Sequence, residues 1–443
     1  MKKEKDLHQE LLKRKYKKPN PFVYFIYWAV GRTPLLGAKY HPHFKIIDDI
    51  NDCKGPCFLI WNHQSRRDHT FLTSLAYPRR LSIVCEYTSF FRSHLHWPFK
   101  MMNIVPKKVF CNDFAFTRAV RDIVKQGGCI ALFPEGTSSI FGDNQPIVPG
   151  TGRFLQVFNI PVYCVDLRGS YLTNNKVDSK DRCGEVYATM RLLFKPEDLQ
   201  AMKPEEIEDK INEAFHHDDY KWNKTAHIRY KAKGHICDGL NDICYKCPKC
   251  GAEFKMETHG DKISCSACGY EANMDEYYDF HVKDGEFVFD TPTDWVHHER
   301  QCIIDEIRDD ENYSWSFEVE VGTLPKSHYV DKKHTSEITG KGIYTIDHKG
   351  VHFKGEKEGQ PFSFDLSYRE IQTYPMTVDL SNFAIFINGE YHEFYPKDRV
   401  VGKAIMVTEE MHRLHINNWK NFKWFDYMYE GKELGIDLKK KGE

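Results

Sequence analysis

The stretch Pro56-Cys57-Phe58-Leu59-Ile60-Trp61-Asn62-His63-Gln64-Ser65-Arg66-Arg67-Asp68 decides how this chain is read. Its apolar run reads as a strand. The polar turn that follows offers an imidazole and, five positions on, a carboxylate. Five residues along an ideal helix rotate a side chain by about 140°, so His63 and Asp68 would not share a helical face. They meet if His63 lies in the loop after the strand and Asp68 in the first turn of the next helix. A histidine, with its ordinary pKa near about 6.5, can take the proton of a hydroxyl. A carboxylate beside it fixes the ring tautomer and stabilises the imidazolium. If the hydroxyl belongs to a substrate, no protein nucleophile is needed.

A His and an Asp at this spacing also occur by chance. The weight comes from a second segment about seventy residues later, Phe133-Pro134-Glu135-Gly136-Thr137-Ser138, a glycine turn carrying a carboxylate and hydroxyls. Together the two resemble the glycerolipid acyltransferase family of the PlsC type, whose first motif is N-H-x4-D and whose third is F-P-E-G-T-R-S. The resemblance covers roughly residues 40–195. It implies transfer of a fatty acyl group from acyl-CoA or acyl-carrier protein to a lipid hydroxyl. The acceptor it suggests first is 1-acyl-sn-glycerol-3-phosphate, giving phosphatidic acid, a step of phospholipid biosynthesis. His63 would be the base and Asp68 its orienter. Asn62, Glu135, Gly136 and Thr137 would belong to the substrate site, with Arg66 and Arg67 steering an anionic donor or headgroup.

The chain departs from the family at its expected phosphate ligands. Where the second motif usually carries an arginine stands Ile104-Val105-Pro106-Lys107-Lys108-Val109. Lys107 or Lys108 could serve as point charges, without the bidentate fork of arginine. Arg118 is another candidate, and a merely solvated basic turn the alternative. In the third motif Ser138 replaces an arginine, and Arg153, in Pro149-Gly150-Thr151-Gly152-Arg153, is expected to compensate. A fourth, proline-bearing segment, Asn159-Ile160-Pro161-Val162-Tyr163, reads as a wall of the acyl channel or as plain sheet core.

Strand candidates Phe44–Ile47, Cys57–Trp61, Leu81–Cys85, Asn103–Val105, Cys129–Phe133, Ile160–Leu167 and Val186–Phe194 alternate with helical periodicity, as in an α/β domain with a covered sheet. Beyond residue 220 the composition turns to Cys, Lys and Gly. Cys247-Pro248-Lys249-Cys250 and Cys265-Ser266-Ala267-Cys268 stand fourteen residues apart, the spacing of a four-thiolate zinc ribbon. Four protein ligands leave no open position, so zinc there would be structural. Cys237 and Cys244 read as ordinary thiols. A helix is expected over Asp294–Asp309 with Thr293 or Asp294 as cap. Then follow short alternating strands (Trp315–Val321, Gly342–Ile346, Val351–Phe353, Phe362–Phe364, Phe383–Ile387, Tyr391–Tyr395) and a helix from Val401 to about Phe422, similar to a PH/GRAM-like barrel. The expected divisions are 1–36, a basic and aromatic membrane-associating segment; 37–220, acyltransferase; 221–280, linker and ribbon; 281–325, connector; and 326–443, β-rich domain.

The net charge of −2 over 443 residues gives no global field for nucleic acid. In the ribbon, Lys246, Lys249, Lys255 and Lys262 are cancelled by Glu253, Glu257 and Asp261, so no nucleic-acid partner is expected. No stretch reaches the roughly 18–20 apolar residues of a spanning helix. Phe22–Val30 is aromatic-rich and follows the basic run Lys13-Arg14-Lys15-Tyr16-Lys17-Lys18. It reads as an interfacial anchor, or else as a segment packed on the catalytic domain. No leader is visible at the N-terminus, and the cysteine pattern suits a reducing compartment. The expected location is therefore cytoplasmic, peripheral on the cytoplasmic face of the membrane, with membrane lipids and the acyl donor as partners. A protein partner for the ribbon or the β-rich domain is a further expectation. The alternatives are an acyltransferase for a different lipid acceptor and a non-catalytic membrane or protein adaptor on the same fold.

Overall fold

The structure is a computed structural model that describes residues 6–33, 39–331 and 335–416. The expected end of the last helix near Phe422 lies outside those residues.

Two helices open the chain, α1 (Leu7–Lys13) and α2 (Pro21–Gly31). Asn20 starts α2 by accepting from the N–H groups of Phe22 and Val23, and Pro21 takes the first helical position, where a missing N–H costs nothing. Then follow β1 (Tyr40–Ile46), β2 (Cys57–Trp61), α3 (Asp68–Ala76), β3 (Leu81–Glu86), α4 (His96–Met102), β4 (Val105–Lys107), α5 (Phe114–Lys125), β5 (Cys129–Leu132), α6 (Thr151–Phe158), β6 (Val162–Arg168), α7 (Ser170–Thr173) and β7 (Gly184–Phe194). The seven strands form one sheet in the order β1-β7-β6-β2-β5-β3-β4, parallel except between β6 and β7. Three helices close this region, α8 (Pro196–Ala201), α9 (Pro204–Phe215) and α10 (Asp219–Ala226).

The central place of β2 explains its unbroken apolar run. Cys57, Leu59 and Trp61 enter the core on one face, with Phe71, Leu72 and Leu75 of α3. Phe58 and Ile60 enter the core on the other, with Phe116, Val120 and Ile123 of α5. Several strand bounds shift, two of them for a clear reason. Asn103 is not in a strand: it adopts the left-handed conformation that ends α4, and β4 begins only at Val105. β1 starts earlier than expected, because Pro42 is tolerated on an edge strand.

The ribbon is a four-stranded antiparallel sheet of β8 (Met256–His259), β9 (Lys262–Cys265), β10 (Glu271–Met274) and β11 (Phe280–Val282). Next comes α11 (Pro292–Asp309), which begins before the expected Asp294. Thr291, not Thr293 or Asp294, is its cap: the Thr291 hydroxyl accepts from the Asp294 N–H, and Pro292 follows it.

The C-terminal sheet comprises β12 (Ser314–Thr323), β13 (Glu337–Asp347), β14 (Gly350–Lys357), β15 (Gln360–Leu366), β16 (Phe383–Ile387) and β17 (Glu390–Pro396), followed by α12 (Val401–His415). Its order, β15-β14-β13-β12-β17-β16, puts β12 in the interior. A boundary between 325 and 326 would therefore cut this sheet, because the strand assigned to a connector pairs with both β13 and β17. The sheet curls until Phe364 of β15 lies 5.8 Å from Phe394 of β17. No pairing joins β15 to β16 among the described residues, so it remains an open sheet rather than a closed barrel.

The regions are not separately cored. One cluster of buried side chains runs from Tyr171 and Tyr220 through Cys244 and Ile263 of the ribbon and Trp295 of α11 to Phe383, Ala404 and Met411. Segments flanking the C-terminal sheet also touch segments flanking the seven-stranded sheet. Phe91 O accepts from Val330 N at 2.8 Å, and Lys108 Nζ donates to Gly389 O at 2.6 Å.

Candidate active site

His63 stands in the loop leaving β2, and Asp68 is the first residue of α3. A strand-to-helix turn thus brings together two side chains that a continuous helix would separate. His63 Nδ1 lies 2.7 Å from Asp68 Oδ2. Asp68 is buried and accepts also from Gln64 N–H (2.8 Å), Ser65 N–H (3.1 Å), Ser65 Oγ (2.8 Å) and Ser170 Oγ (2.7 Å). An ionised carboxylate can only accept, so Nδ1 carries the ring proton and Nε2 presents its lone pair. Nε2 has no hydrogen-bond partner among the described residues, and the side chain keeps 18% of its surface exposed. The Phe133 ring leans on the imidazole at 4.2 Å.

The backbone of His63 is held as firmly as its ring. Its N–H donates to Glu135 Oε1 at 2.9 Å and its carbonyl accepts from Ser139 N–H at 2.7 Å. Glu135 Oε2 accepts from Gln145 N–H at 3.0 Å. Burial pushes the Glu135 carboxyl up to about 8, against the pull of those two N–H groups. Both oxygens are engaged, so Glu135 holds the loop and His63 rather than facing an acceptor. Gly136 has φ +78°, and a Cβ there would come within 3.0 Å of Phe110 and Val148. Thr137 is buried, and its hydroxyl turns to the Ser138 carbonyl at 3.4 Å.

Other expected substrate contacts are used inside the fold. Asn62 is fully buried and exchanges two hydrogen bonds with the Leu167 backbone, at 2.8 and 2.7 Å, tying β2 to β6. Arg66 donates to Asn174 Oδ1 and Ser179 O, both at 2.9 Å, and Arg67 pairs with Asp181 at 3.2 Å. Both arginines hold the segment after α7. Lys107 donates to Lys108 O and Cys111 O, and burial lowers its pKa. Lys108 is taken by the C-terminal sheet, and Arg118 donates to Leu12 O at 2.9 Å. Arg153 is exposed on α6. The sequence reading missed Ser65 and Ser170, whose only signal is a Gly-Ser step at the end of β6 for Ser170.

Behind Phe133 lies a cavity of about 310 Å³ lined by Val84, Val109, Phe110, Phe116, Leu132 and Phe133, with Glu86 and Lys107 also on its wall. Asn159–Tyr163 does not line it. Pro161 O accepts from Phe58 N–H at 2.8 Å, and Val162 is buried in β6, so this segment is sheet core.

Cys247, Cys250, Cys265 and Cys268 bring their sulfurs within 4.8 Å of one another. Cys247 and Cys268 are 3.7 Å apart and Cys250 and Cys265 3.9 Å. A tetrahedron of Zn–S bonds of about 2.3 Å has edges of about 3.8 Å, so the four thiols fit zinc. Gly251 and Gly269 follow the second cysteine of each pair at φ +70° and +72°, values that favour glycine. Cys237 and Cys244 lie in the core outside this group.

Comparison with known proteins falls on the region that carries His63. Residues 40–168, β1 to β6, match the family model described as Acyltransferase. A chloroplastic 1-acyl-sn-glycerol-3-phosphate acyltransferase, BAT2 of Brassica napus, is 26% identical over 133 residues, 30% of this chain and 38% of that protein. The chain thus spans little more than a third of that relative. The crystal structure of the 1-acyl-sn-glycerophosphate acyltransferase PlsC from Thermotoga maritima aligns over 44% of this chain and 76% of its own, at 16% identity and a TM-score of 0.36. The matches support an acyltransferase domain over residues 40–168.

Proposed function

We propose that this chain is a peripheral membrane acyltransferase. It moves a fatty acyl group from acyl-CoA or acyl-carrier protein to the hydroxyl of a lysophospholipid, first of all 1-acyl-sn-glycerol-3-phosphate. The observation that carries the reading is the His63–Asp68 pair, with Nε2 unpartnered among the described residues and the ring packed on Phe133, which lines the cavity. The acceptor hydroxyl gives its proton to Nε2 as its oxygen attacks the thioester carbonyl. The tetrahedral intermediate then collapses, the C–S bond breaks, and the leaving thiolate takes the proton back from Nε2. Asp68, held by four donors besides the ring, stabilises the imidazolium in between. The apolar cavity is the place for the acyl chain, and its lining keeps water from the thioester. Zinc on the four cysteines would supply a cross-link only.

The membrane reading rests on α2. Tyr24, Tyr27 and Trp28 turn inward, Trp28 stacking on Tyr77 at 4.1 Å. Phe22, Phe25, Ile26 and Val30 turn outward, joined by Trp97 and Met101 of the neighbouring α4. Phe22 is 71% and Trp97 66% exposed. Among the described residues no helix is long and apolar enough to cross a membrane. A one-sided apolar face beside basic residues suits the interface of an anionic, cytoplasmic leaflet. A different lipid acceptor is the second reading, favoured by the engagement of Lys108 and Arg118 within the fold.

The test is acyl transfer by the purified chain from CoA and carrier-protein thioesters to a panel of lysolipids. His63→Ala should lower turnover by roughly 10²–10⁴ without unfolding the protein. Unchanged turnover would remove His63 from the mechanism, and no transfer to any acceptor by the parent chain would favour the adaptor.

A further inference from the structure

We propose that Lys176, with Arg66 and Arg92 around it, receives the phosphate of the acceptor. This rests on the acyltransferase reading, and it assigns the site to a segment outside the two motifs. Lys176 follows α7, the short helix whose Ser170 supports Asp68. Its Nζ lies 3.2 Å from Ser138 Oγ. The next residue, Ser139, holds the His63 carbonyl through its N–H. The Lys176 backbone is fixed from two sides: its carbonyl accepts from Asp379 N–H, in the turn before β16, at 2.8 Å, and Arg66 holds Asn174 two residues earlier.

The ammonium has donors to spare. Ser138 Oγ is its hydrogen-bond partner, and no carboxylate lies within ion-pair distance of it among the described residues. Lys176 is surrounded by protein on most sides yet reached by solvent, and burial draws its pKa down to about 8, opposed by Glu86 and reinforced by Arg66 and Arg92. Arg92 adds a buried Nε with no acceptor among the described residues. The facing carboxylates are Glu86, whose pKa burial raises, Glu393, which is occupied by Thr335 and Tyr395, and, on the Arg66 side, Asp181 and Asp178. Glu86 also lines the apolar cavity, so the charged cluster and the place for the acyl chain adjoin. Lys176 and Arg92, with Glu86 facing both, leave donors unmatched in an enclosed niche, where Arg66 adds a charge it shares with Asp181 and Asp178, and a phosphate monoester would complete it. The other candidate cations are engaged elsewhere (Arg67, Lys107, Lys108 and Arg118) or exposed on α6 (Arg153).

Two measurements on the full chain test this. In calorimetric titration with sn-glycerol 3-phosphate, Lys176→Met should weaken binding about tenfold or more, the scale of one hydrogen bond to a charged group. Lys176→Arg should restore much of it, and His63→Ala should bind as the parent does. In steady state, Lys176→Met should raise the KM for lysophosphatidic acid relative to that for neutral monoacylglycerol, while the KM for acyl-CoA stays put. Equal binding by the parent chain and Lys176→Met would overturn the proposal. So would a rise in the acyl-CoA KM instead, which would place the donor's phosphate there. Lys176-dependent binding without transfer to any acceptor would sustain the phosphate site and overturn the acyltransferase reading.

Discussion

Asp68 and Glu135 are both buried carboxylates within reach of His63, and the hydrogen bonds around them separate their roles. Asp68 meets the imidazole and hydroxyls, partners able to follow a proton in transit. Glu135 meets only backbone N–H groups, one of them that of His63 itself. Glu135→Gln should therefore turn one acceptor into a donor facing an N–H. It should cost about 1–3 kcal/mol of stability, the usual penalty for a buried group left unpaired. The pH dependence has a defined sign. With its folded pKa raised from the ordinary 4.5 to about 8, Glu135 contributes stability that is complete below 4.5 and lost as pH rises through about 8. The deficit of Glu135→Gln, read from urea midpoints at pH 4.5 and 8, should thus shrink as pH rises, and a constant deficit would contradict the assignment. That His63 and Asp68 meet could be read from sequence because strand, loop and helix start are local. The partners of Asn62 and Glu135 could not, since Leu167 and Gln145 arrive from distant strands and loops. Nor could the partners of the cations be read, since a lysine's direction is set by what packs around it.

At the scale of elements, period and punctuation carried most of the reading. β2 and β16 occupy their expected bounds, because a buried apolar run ends where polar turns begin. Caps were less legible: Thr291 sits ahead of a proline and outside the periodic stretch. Phe22–Val30 lies in a helix with one face packed and the other exposed, a division that composition alone cannot assign. Replacing Phe22, Phe25, Ile26 and Val30 with serine should leave α2 anchored through Tyr24, Tyr27 and Trp28 but abolish sedimentation with anionic vesicles. Each side chain withdrawn from the interface forfeits on the order of 1 kcal/mol. Retained binding would move the membrane contact elsewhere. In the ribbon, elemental analysis should find one zinc per chain, and Cys265→Ser with Cys268→Ser should lose it. Full occupancy in that variant would remove these cysteines as ligands. Occupancy should also fall at acid pH, since thiolates must deprotonate to bind.

At the scale of the molecule the sequence was least informative. Composition shifts suggested separable modules, whereas the buried side chains of ribbon, α11, C-terminal sheet and α12 form one cluster that reaches Tyr171, next to Ser170 beneath Asp68. The second interface, where Leu324, Val330, Ala384 and Tyr391 enter the core that holds Leu59 and Phe71, ties the C-terminal sheet to the seven-stranded sheet. Such contacts join residues hundreds of positions apart and leave no local trace. They change what loss of metal should do. A free-standing ribbon would melt alone, since so short a segment has too little core of its own. Here Trp295 of α11 is fully buried and its indole N–H donates to Lys246 O at 2.9 Å, one residue before Cys247. Loosening the ribbon therefore strips contacts from α11 and from the sheet behind it. Scanning calorimetry should show one main transition that includes the ribbon, and a chelator should shift that whole transition to lower temperature, as expected when a ligand bound only by the native state is withdrawn. A separate small transition lost on chelation, with the main one unmoved, would show that the ribbon is an independent module after all.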